Sequence, residues 1–464
     1  MGHSQVAVRA DSDPELNNNE PVQKPLSRLT RWYRSALFNV IIVGLISFTQ
    51  PGIWNALNNT GAGGQQKPYL VNGANSLTFG IMVFGCPLFS ILANRYGLRR
   101  ILILGTLGYA PYSASLYTNN RYGTEWFVLF GGVTCGVAAS ALWSSEGAIA
   151  LGYGSVGDRG KYTGIWLGLR ELGQLIGSSI QLSLNVEDGQ RGKVGYTTYL
   201  ILIGLQCLGL PLAFLISHPS KVIRADGSRI PDPTRQKATL GEFHKLWAQV
   251  KKKHILLLIP ILVGFNWNGT YQGIYLTNYF SVRARTLGSL TSGIAATAAN
   301  IFWGWFFDRK QFSRPISSAY NLKLYEDTQP TIDWAQPNFG RGFAVNVIFR
   351  FMNESHYMFV YWLLGVFNDD LETLTLTVGI VRCFESVGSC LAFGIGAAEV
   401  PPMVNLIVAF VMFVLCIPTT SWVVFMVPEH PESTPKDGVS SQESVICFHD
   451  TDRHSATCPT VAIH

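Results

Sequence analysis

The sequence predicts an all-α integral membrane protein, and three observations carry that expectation. Only 14% of its 464 residues are charged while 48% are apolar or aromatic, and an average soluble domain carries roughly 25% charged residues. Mean hydropathy is positive, at +0.21. The apolar residues also gather in blocks of about 20, the length a helix needs to cross a hydrocarbon core of ~30 Å. A soluble enzyme, a nucleic-acid binder and a disordered scaffold are thereby excluded.

The first 34 residues are polar and lack an apolar core, so a cytoplasmic disordered tail without a cleavable signal is expected over 1–34. Apolar spans follow at Ser35–Leu57, Asn72–Ala93, Ile101–Leu116, Phe127–Ala150, Tyr162–Leu184 and Tyr196–Ser217, giving a six-helix bundle over 35–217. A basic loop occupies 218–253. Further spans at Ile255–Phe280, Leu287–Phe307, Phe343–Phe367, Leu371–Ala398 and Met403–Val427 make a second bundle of about five helices over 254–427, before a polar, disordered tail over 428–464.

Lysine and arginine set the orientation. One side collects Arg9, Lys24, Arg28, Arg31, Arg34, Arg95, Arg99, Arg100, Arg159, Lys161 and nine more in the 218–253 loop. The other side, counted through residue 285, has Lys67, Arg121, Arg191, Lys193, Arg283 and Arg285. The amino terminus and the basic loop are therefore expected in the cytoplasm. The cysteines show no CxxC or Cys/His metal spacing, and no cofactor is implied. Gly152-x-Gly154-x-x-Gly157 fits a dinucleotide pattern but follows a membrane helix rather than a strand.

An internal repeat runs through the chain. Asn94-Arg95 and Asp308-Arg309 end the second and eighth spans, 214 residues apart. Gly164-Ile165 with Gly173 recurs as Gly379-Ile380 with Gly388 at an offset of 215. Parallel repeats of this kind build many secondary transporters.

Gly304-x-x-x-Asp308-Arg309 resembles the cytoplasmic signature of the major facilitator superfamily. Ser90-x-x-x-Asn94-Arg95-Tyr96-Gly97-Leu98-Arg99-Arg100 resembles its first-half counterpart, with Asn94 where an acid is usual. The runs FTQPGIWNALNNTGAGG (Phe48 to Gly64), LWSSEGA (Leu142 to Ala148) and YWLLG (Tyr361 to Gly365) resemble the fungal branch of the uncoordinated-ninety-three-like family. Over residues 30–430 the resemblance implies a major-facilitator-like two-bundle fold of twelve helices around a cavity lined by the first, fourth, seventh and tenth. It implies a secondary transporter with Asn94, Arg95, Arg99, Arg100, Gly304, Asp308 and Arg309 in a cytoplasmic gate. The alternative it leaves is a non-transporting accessory or regulatory subunit of a channel or receptor, as some relatives are described. No apolar ninth span follows Asp308-Arg309, so the ninth helix is expected to be missing and every later helix inverted; a truncated, inactive transporter is the third reading.

Charges inside spans are costly unless paired or hydrated, which singles out Arg170, Glu171, Arg350, Glu354, Arg382 and Glu385. Arg170 and Glu171 lie near the middle of the fifth span, about 100° apart around the helix, so they are not expected to make an ideal pair with each other, and one of them is expected to face another helix or water. They are read either as an ion pair locking the halves or as a site for a coupling ion or a small solute. Arg350 with Glu354 and Arg382 with Glu385 have the spacing for pairing along one helix. His356 titrates in the physiological range when unperturbed, and Glu146 is expected near the cytoplasmic face, paired to an arginine. Gln50-Pro51-Gly52 interrupts the first span, with Asn55 a turn later. Asn266 and Asn268, in the pseudo-equivalent seventh span, complete the expected cavity lining. The expected partners are the lipid bilayer, an unidentified small solute or ion and, on the accessory reading, a membrane channel or receptor subunit.

Overall fold

The chain builds sixteen α-helices among the residues the computed structural model describes: 27–65, 68–154, 159–189, 192–224, 227–230, 241–307, 331–337, 339–367, 370–398 and 400–427. The first, α1 (Arg28–Tyr33), falls inside the stretch expected to be disordered; residues 1–26 and 428–464 lie outside the described set. Ser35 caps α2 (Ala36–Ser47) by accepting from the Phe38 amide at 3.1 Å. Pro51 lacks the amide a regular helix requires, and the chain makes a π-turn over Phe48–Gly52 before α3 (Ile53–Asn59) resumes.

Next come α4 (Pro68–Tyr96), then α5 (Leu98–Gly105) and α6 (Tyr109–Tyr122), which divide the third expected span in two. α7 (Trp126–Gly152) and α8 (Arg159–Leu184) are continuous. The sixth span breaks at Leu208 into α9 (Tyr196–Cys207) and α10 (Gly209–Phe214). The π-turn is coupled to this break: Gln50 Nε2 donates to the Gln206 carbonyl at 2.6 Å, and a Cβ on Gly209 would lie 1.9 Å from Gln50 Nε2. The basic loop contains a helix, α11 (Gly241–Val250). The second half holds α12 (Lys253–Tyr279), α13 (Val282–Phe307), α14 (Phe339–Phe367), α15 (Leu371–Ala397), capped by Asp370, and α16 (Pro402–Phe425).

Each of the eleven expected spans thus lands on one helix or a broken pair. Six are apolar and long enough to cross a membrane by composition alone: Ala36–Asn59, Pro68–Tyr96, Trp126–Gly152, Tyr196–Phe214, Leu371–Ala397 and Met403–Phe425. The described residues through Val427 form one compact unit. α4 packs along α15 and α8 along α13, so two long seams join the first-half helices to the second-half ones.

The repeat is visible in packing. A Cβ on Gly173 of α8 would lie 2.3 Å from the Phe48 carbonyl oxygen, and one on Gly388 of α15 would lie 2.1 Å from that of Val263 on α12. Both residues of the second pair stand 215 positions after those of the first.

The expected inversion of the later helices does not occur. Residues 308–330, where the ninth helix was expected to be missing, lie outside the described residues, but their flanks are informative. α13 starts beside Asp333 and, at 26 residues and 1.5 Å per residue, carries Phe307 about 39 Å away. Ile332 nonetheless pairs with the α12–α13 junction: its amide donates to the Tyr279 carbonyl at 2.8 Å, and Ser281 N donates to the Ile332 carbonyl at 3.0 Å. Asp333 accepts from Ser281 Oγ (2.5 Å) and Arg283 Nε (2.8 Å), with Arg283 Nη2 closing the fork. α14 therefore begins at the end where α13 begins. Asn346 reaches the Gly288 carbonyl and Phe351 meets Phe302, so the two helices run in the same sense. Phe367, at the far end of α14, stacks on His254 at the start of α12.

The end holding Arg34, Arg95–Arg100 and Lys251–Lys253 is called the basic end below, and the end holding Gly61, Phe280 and Asp333 the distal end. α16 finishes at the basic end, where Lys253 lies over Trp422.

Candidate functional site

Halfway between the ends lies a buried cluster of charges. Arg170 of α8 donates through Nε and Nη2 to Glu171 Oε1 at 2.8 and 2.6 Å, and Nη2 also reaches Glu354 Oε2 of α14 at 2.9 Å. Arg350 pairs with Glu354 Oε1 at 2.9 Å and approaches Glu171 Oε2 at 3.7 Å. Adjacent residues on a helix were expected to diverge too far to pair. The arginine side chain is long enough to fold back, so Arg170 serves its neighbour and the opposite half together. On α15, Arg382 Nη1 meets Glu385 Oε2 at 2.7 Å, and its guanidinium lies 3.5 Å over the Trp143 ring. Buried ions cost several kcal/mol each unless paired, and here each finds a partner.

The cluster forms one wall of a cavity of about 140 Å³ that extends toward the distal end. α3, α7, α12 and α14 contribute Asn55, Trp143, Asn266 and Glu354, and α4, α8 and α15 contribute Phe79, Arg170 and Phe393. The four helices expected from the resemblance take part, joined by these three and by α6 through Tyr109.

Arg285 lies at the distal end, beyond the cavity lining. It is 2% exposed, and it donates through Nε to the Thr60 carbonyl at 2.7 Å and through Nη2 to that of Gly61 at 2.6 Å, capping the end of α3. Gly61 has φ +83°, and a Cβ there would sit 2.1 Å from Thr277 Oγ1 and 2.6 Å from the Gly273 carbonyl oxygen of α12. Glycine is required both by the left-handed backbone and by this approach. Nearby, the α8–α13 seam carries polar contacts: Ser178 with Ser289 (2.8 Å), and Gln174 Nε2 to Ser292 Oγ (3.0 Å). Gln174 Oε1 also accepts from Arg350 at 3.2 Å.

At the basic end Asn94 Nδ2 donates to the Glu372 carbonyl of α15 at 3.3 Å, and Lys245 of α11 pairs with the Glu372 carboxylate at 2.7 Å. Of the other expected gate residues, Arg95, Arg99 and Arg100 have contacts inside the first half or are exposed to solvent. Arg95 lies over Tyr96, Arg99 donates to the Phe214 carbonyl within the first half, and Arg100 is exposed. Gly304 lies within α13; Asp308 and Arg309 are outside the described residues.

Of the remaining candidates, Asn55 and Asn266 line the cavity. Gln50 is committed to Gln206, and Asn268 is half-buried away from the lining. His356 Nδ1 is hydrogen-bonded to the Met352 carbonyl of its own helix at 2.7 Å, outside the lining. Glu146 corrects its expectation: it is fully buried, with Oε2 accepting from Ser47 Oγ at 2.6 Å and Trp166 Nε1 at 3.3 Å rather than pairing with an arginine. The sequence reading missed Gln174, Trp143 and Tyr357, and counted Arg285 as a loop charge. A search for cations near the starts of spans would have found Arg285.

These features can be set beside known proteins. Residues 35–322 match the Major Facilitator Superfamily profile. The chain is 31% identical over 435 residues to Notoamide biosynthesis cluster protein O' of Aspergillus versicolor, covering 89% of this chain and 92% of that one. It is 28% identical to a UNC93-like protein of Schizosaccharomyces pombe (80% and 78% covered) and 26% identical to UNC93-like protein 1 of Arabidopsis thaliana (82% and 88%). The crystal structure of the Escherichia coli fucose:proton symporter superposes with a TM-score of 0.52 at 14% identity, covering 84% of this chain and 99% of that one, which is a likeness of fold. Seams, cavity, profile and relatives agree: the chain is a multi-pass membrane protein that belongs to the major facilitator superfamily, as a UNC93-like member.

Proposed function

We propose that the protein is a secondary transporter of a small solute, working by alternating access. The carrying observation is the bridge from Arg170 on α8 to Glu354 on α14: it joins first-half and second-half helices at the wall of a cavity, where rocking of the halves would remake it. Charges at such positions are functional candidates because they are expensive to keep. The two bundles, 35–217 and 254–427, are the rocking bodies in this reading. The basic end faces the cytoplasm, as the excess of lysine and arginine on that side supports. Asn94, Glu372 and Lys245 close the basic gate. The test is uptake by vesicles reconstituted with the native protein or with Glu354→Gln, using labelled hexoses, nucleosides, amino acids and rubidium. Saturable uptake of one class, lost in the variant, supports transport; equal uptake with and without protein for every class refutes it for these solutes.

An accessory role in a channel or receptor assembly is the second reading. The polar stitching of α8 to α13 favours it, since a seam tied by Ser178 and Gln174, with Arg285 of α13 also holding the end of α3, suits a static scaffold. Co-purification of a stable channel partner with no flux would select it.

A further inference from the structure

The ionic wall and the rest of the cavity lining together constrain what can bind. Three guanidinium groups, Arg170, Arg350 and Arg382, face three carboxylates, Glu171, Glu354 and Glu385, in contacts of 2.6, 2.9, 2.9 and 2.7 Å. Glu171 is buried behind the lining against Arg170 and Arg350, and with it counted the cluster is balanced within itself, leaving no charge among these groups to neutralise a guest. Glu146, the other buried carboxyl in α7, is held by Ser47 and Trp166 and does not line the cavity.

The remainder of the lining is neutral but not apolar. Asn55, Asn59, Asn266 and Asn353 supply amides that both donate and accept. Flat surfaces face the same space: Phe79 and Phe393 stack at 5.7 Å with 12° between their planes, and Trp54 meets Phe79 edge-on at 6.0 Å. The cavity volume, about 140 Å³, is close to the ~150 Å³ of an engineered cavity that admits benzene, so a single ring is the size that fits.

We propose that this cavity binds an uncharged, ring-sized solute carrying hydroxyl or amide groups, held by the asparagines on its polar edge and by Trp54, Phe79 and Phe393 on its flat face. The proposal rests on the transport reading only for its biological purpose; the binding chemistry stands separately. A guest with a net charge would break the balance of the wall in a site shielded from water. It would bind about 100-fold more weakly than its neutral analogue, the direction set by the cost of an uncompensated buried ion.

The test is a binding panel on the purified full-length protein in detergent, read by tryptophan fluorescence and by melting temperature. The probes are matched sets of single rings: a hexose with its uronate and its amino sugar, and uracil with its carboxylate, orotate. Saturable binding by a neutral member, with both charged analogues at least about tenfold weaker, is the expected result. Trp54→Phe should reduce the fluorescence response, and Glu385→Gln, which leaves the wall with one excess positive charge, should shift preference toward the uronate. Tighter binding of a charged member to the native protein overturns the proposal, as does no binding by any neutral member at millimolar concentration. Flux of a charged solute in vesicles would leave transport standing and refute this solute class. Neutral binding without flux would do the reverse.

Discussion

Replacing Arg285 by alanine should open the distal end of the cavity. Two short hydrogen bonds from the guanidinium hold the carbonyls of Thr60 and Gly61, at 2.7 and 2.6 Å. Bonds from a charged donor contribute about 1.5–3 kcal/mol each. Among the described residues no carboxylate lies within ion-pair distance of Arg285, so the cost of keeping its charge out of water offsets part of that gain. A net contribution of about 3 kcal/mol remains, which corresponds to a change of roughly 150-fold in the ratio of closed to open forms. The assay is the labelling rate of Asn55→Cys, a cavity-lining position, by a hydrophilic thiol reagent in nanodiscs, with protein lacking the reporter as the blank. Arg285→Ala should raise the rate by one to two orders of magnitude, and Arg285→Lys, which keeps the charge but loses the fork, should fall between. An unchanged rate in a variant that elutes and melts like the parent would refute the latch.

Other perturbations read different parts of the account. Glu354→Gln strips Arg170 and Arg350 of a shared partner and should lower stability by about 3–5 kcal/mol, measurable as a drop in melting temperature in detergent; a drop no larger than that of a surface Glu→Gln control argues against the bridge. Gly173→Ala and Gly388→Ala each force a methyl against a backbone carbonyl, and each should cost about 1–3 kcal/mol by the same melting assay, with similar values if the two contacts are equivalent. The Arg283 fork and the Ser281 hydroxyl hold the Asp333 carboxyl well below the usual carboxylate range. A depressed folded value means its stabilisation is complete above the unfolded pKa of about 3.9 and fades as pH falls through the folded value. The advantage of the native protein over Asp333→Asn in melting temperature should therefore be constant from neutral pH down to about 5 and shrink only below about 4; an advantage that shrinks between pH 8 and 6 contradicts this.

Much of the fold is legible because membrane helices announce themselves by length and composition. Ser35 and Asp370 start helices where the sequence suggests, and α7 and α15 match their expected spans within a few residues. The breaks inside the third and sixth spans were not legible, because they depend on a partner helix. The opening at Leu208 is filled by Gln50 from the π-turn, a contact 156 residues away in sequence. The candidate site was legible in its charges and not in its connections. Intramembrane arginines and glutamates stand out against apolar surroundings, and the pairs along α14 and α15 follow from helical spacing. The bridge from Arg170 to Glu354 depends instead on how α14 is oriented. Hydropathy counts crossings, whereas the distal position of Ile332 and Asp333, and so the sense of α14, shows only in tertiary contacts.

The sense of α14 is what places Glu354 against Arg170, so the sidedness of the two termini tests the account most directly. Cys447 and Cys458 provide handles in the carboxy-terminal tail, with their serine variants as controls, and an epitope before Arg28 marks the amino terminus. An impermeant thiol reagent and an antibody are applied to intact and to permeabilised cells. Because α1 and the end of α16 both lie at the basic end, both termini should be protected in intact cells and become reactive together on permeabilisation. Labelling of the carboxy-terminal cysteines from outside while the amino terminus stays protected would mean an odd number of crossings and an inverted α14. In that case the bridge between the halves, and the transport reading built on it, could not stand.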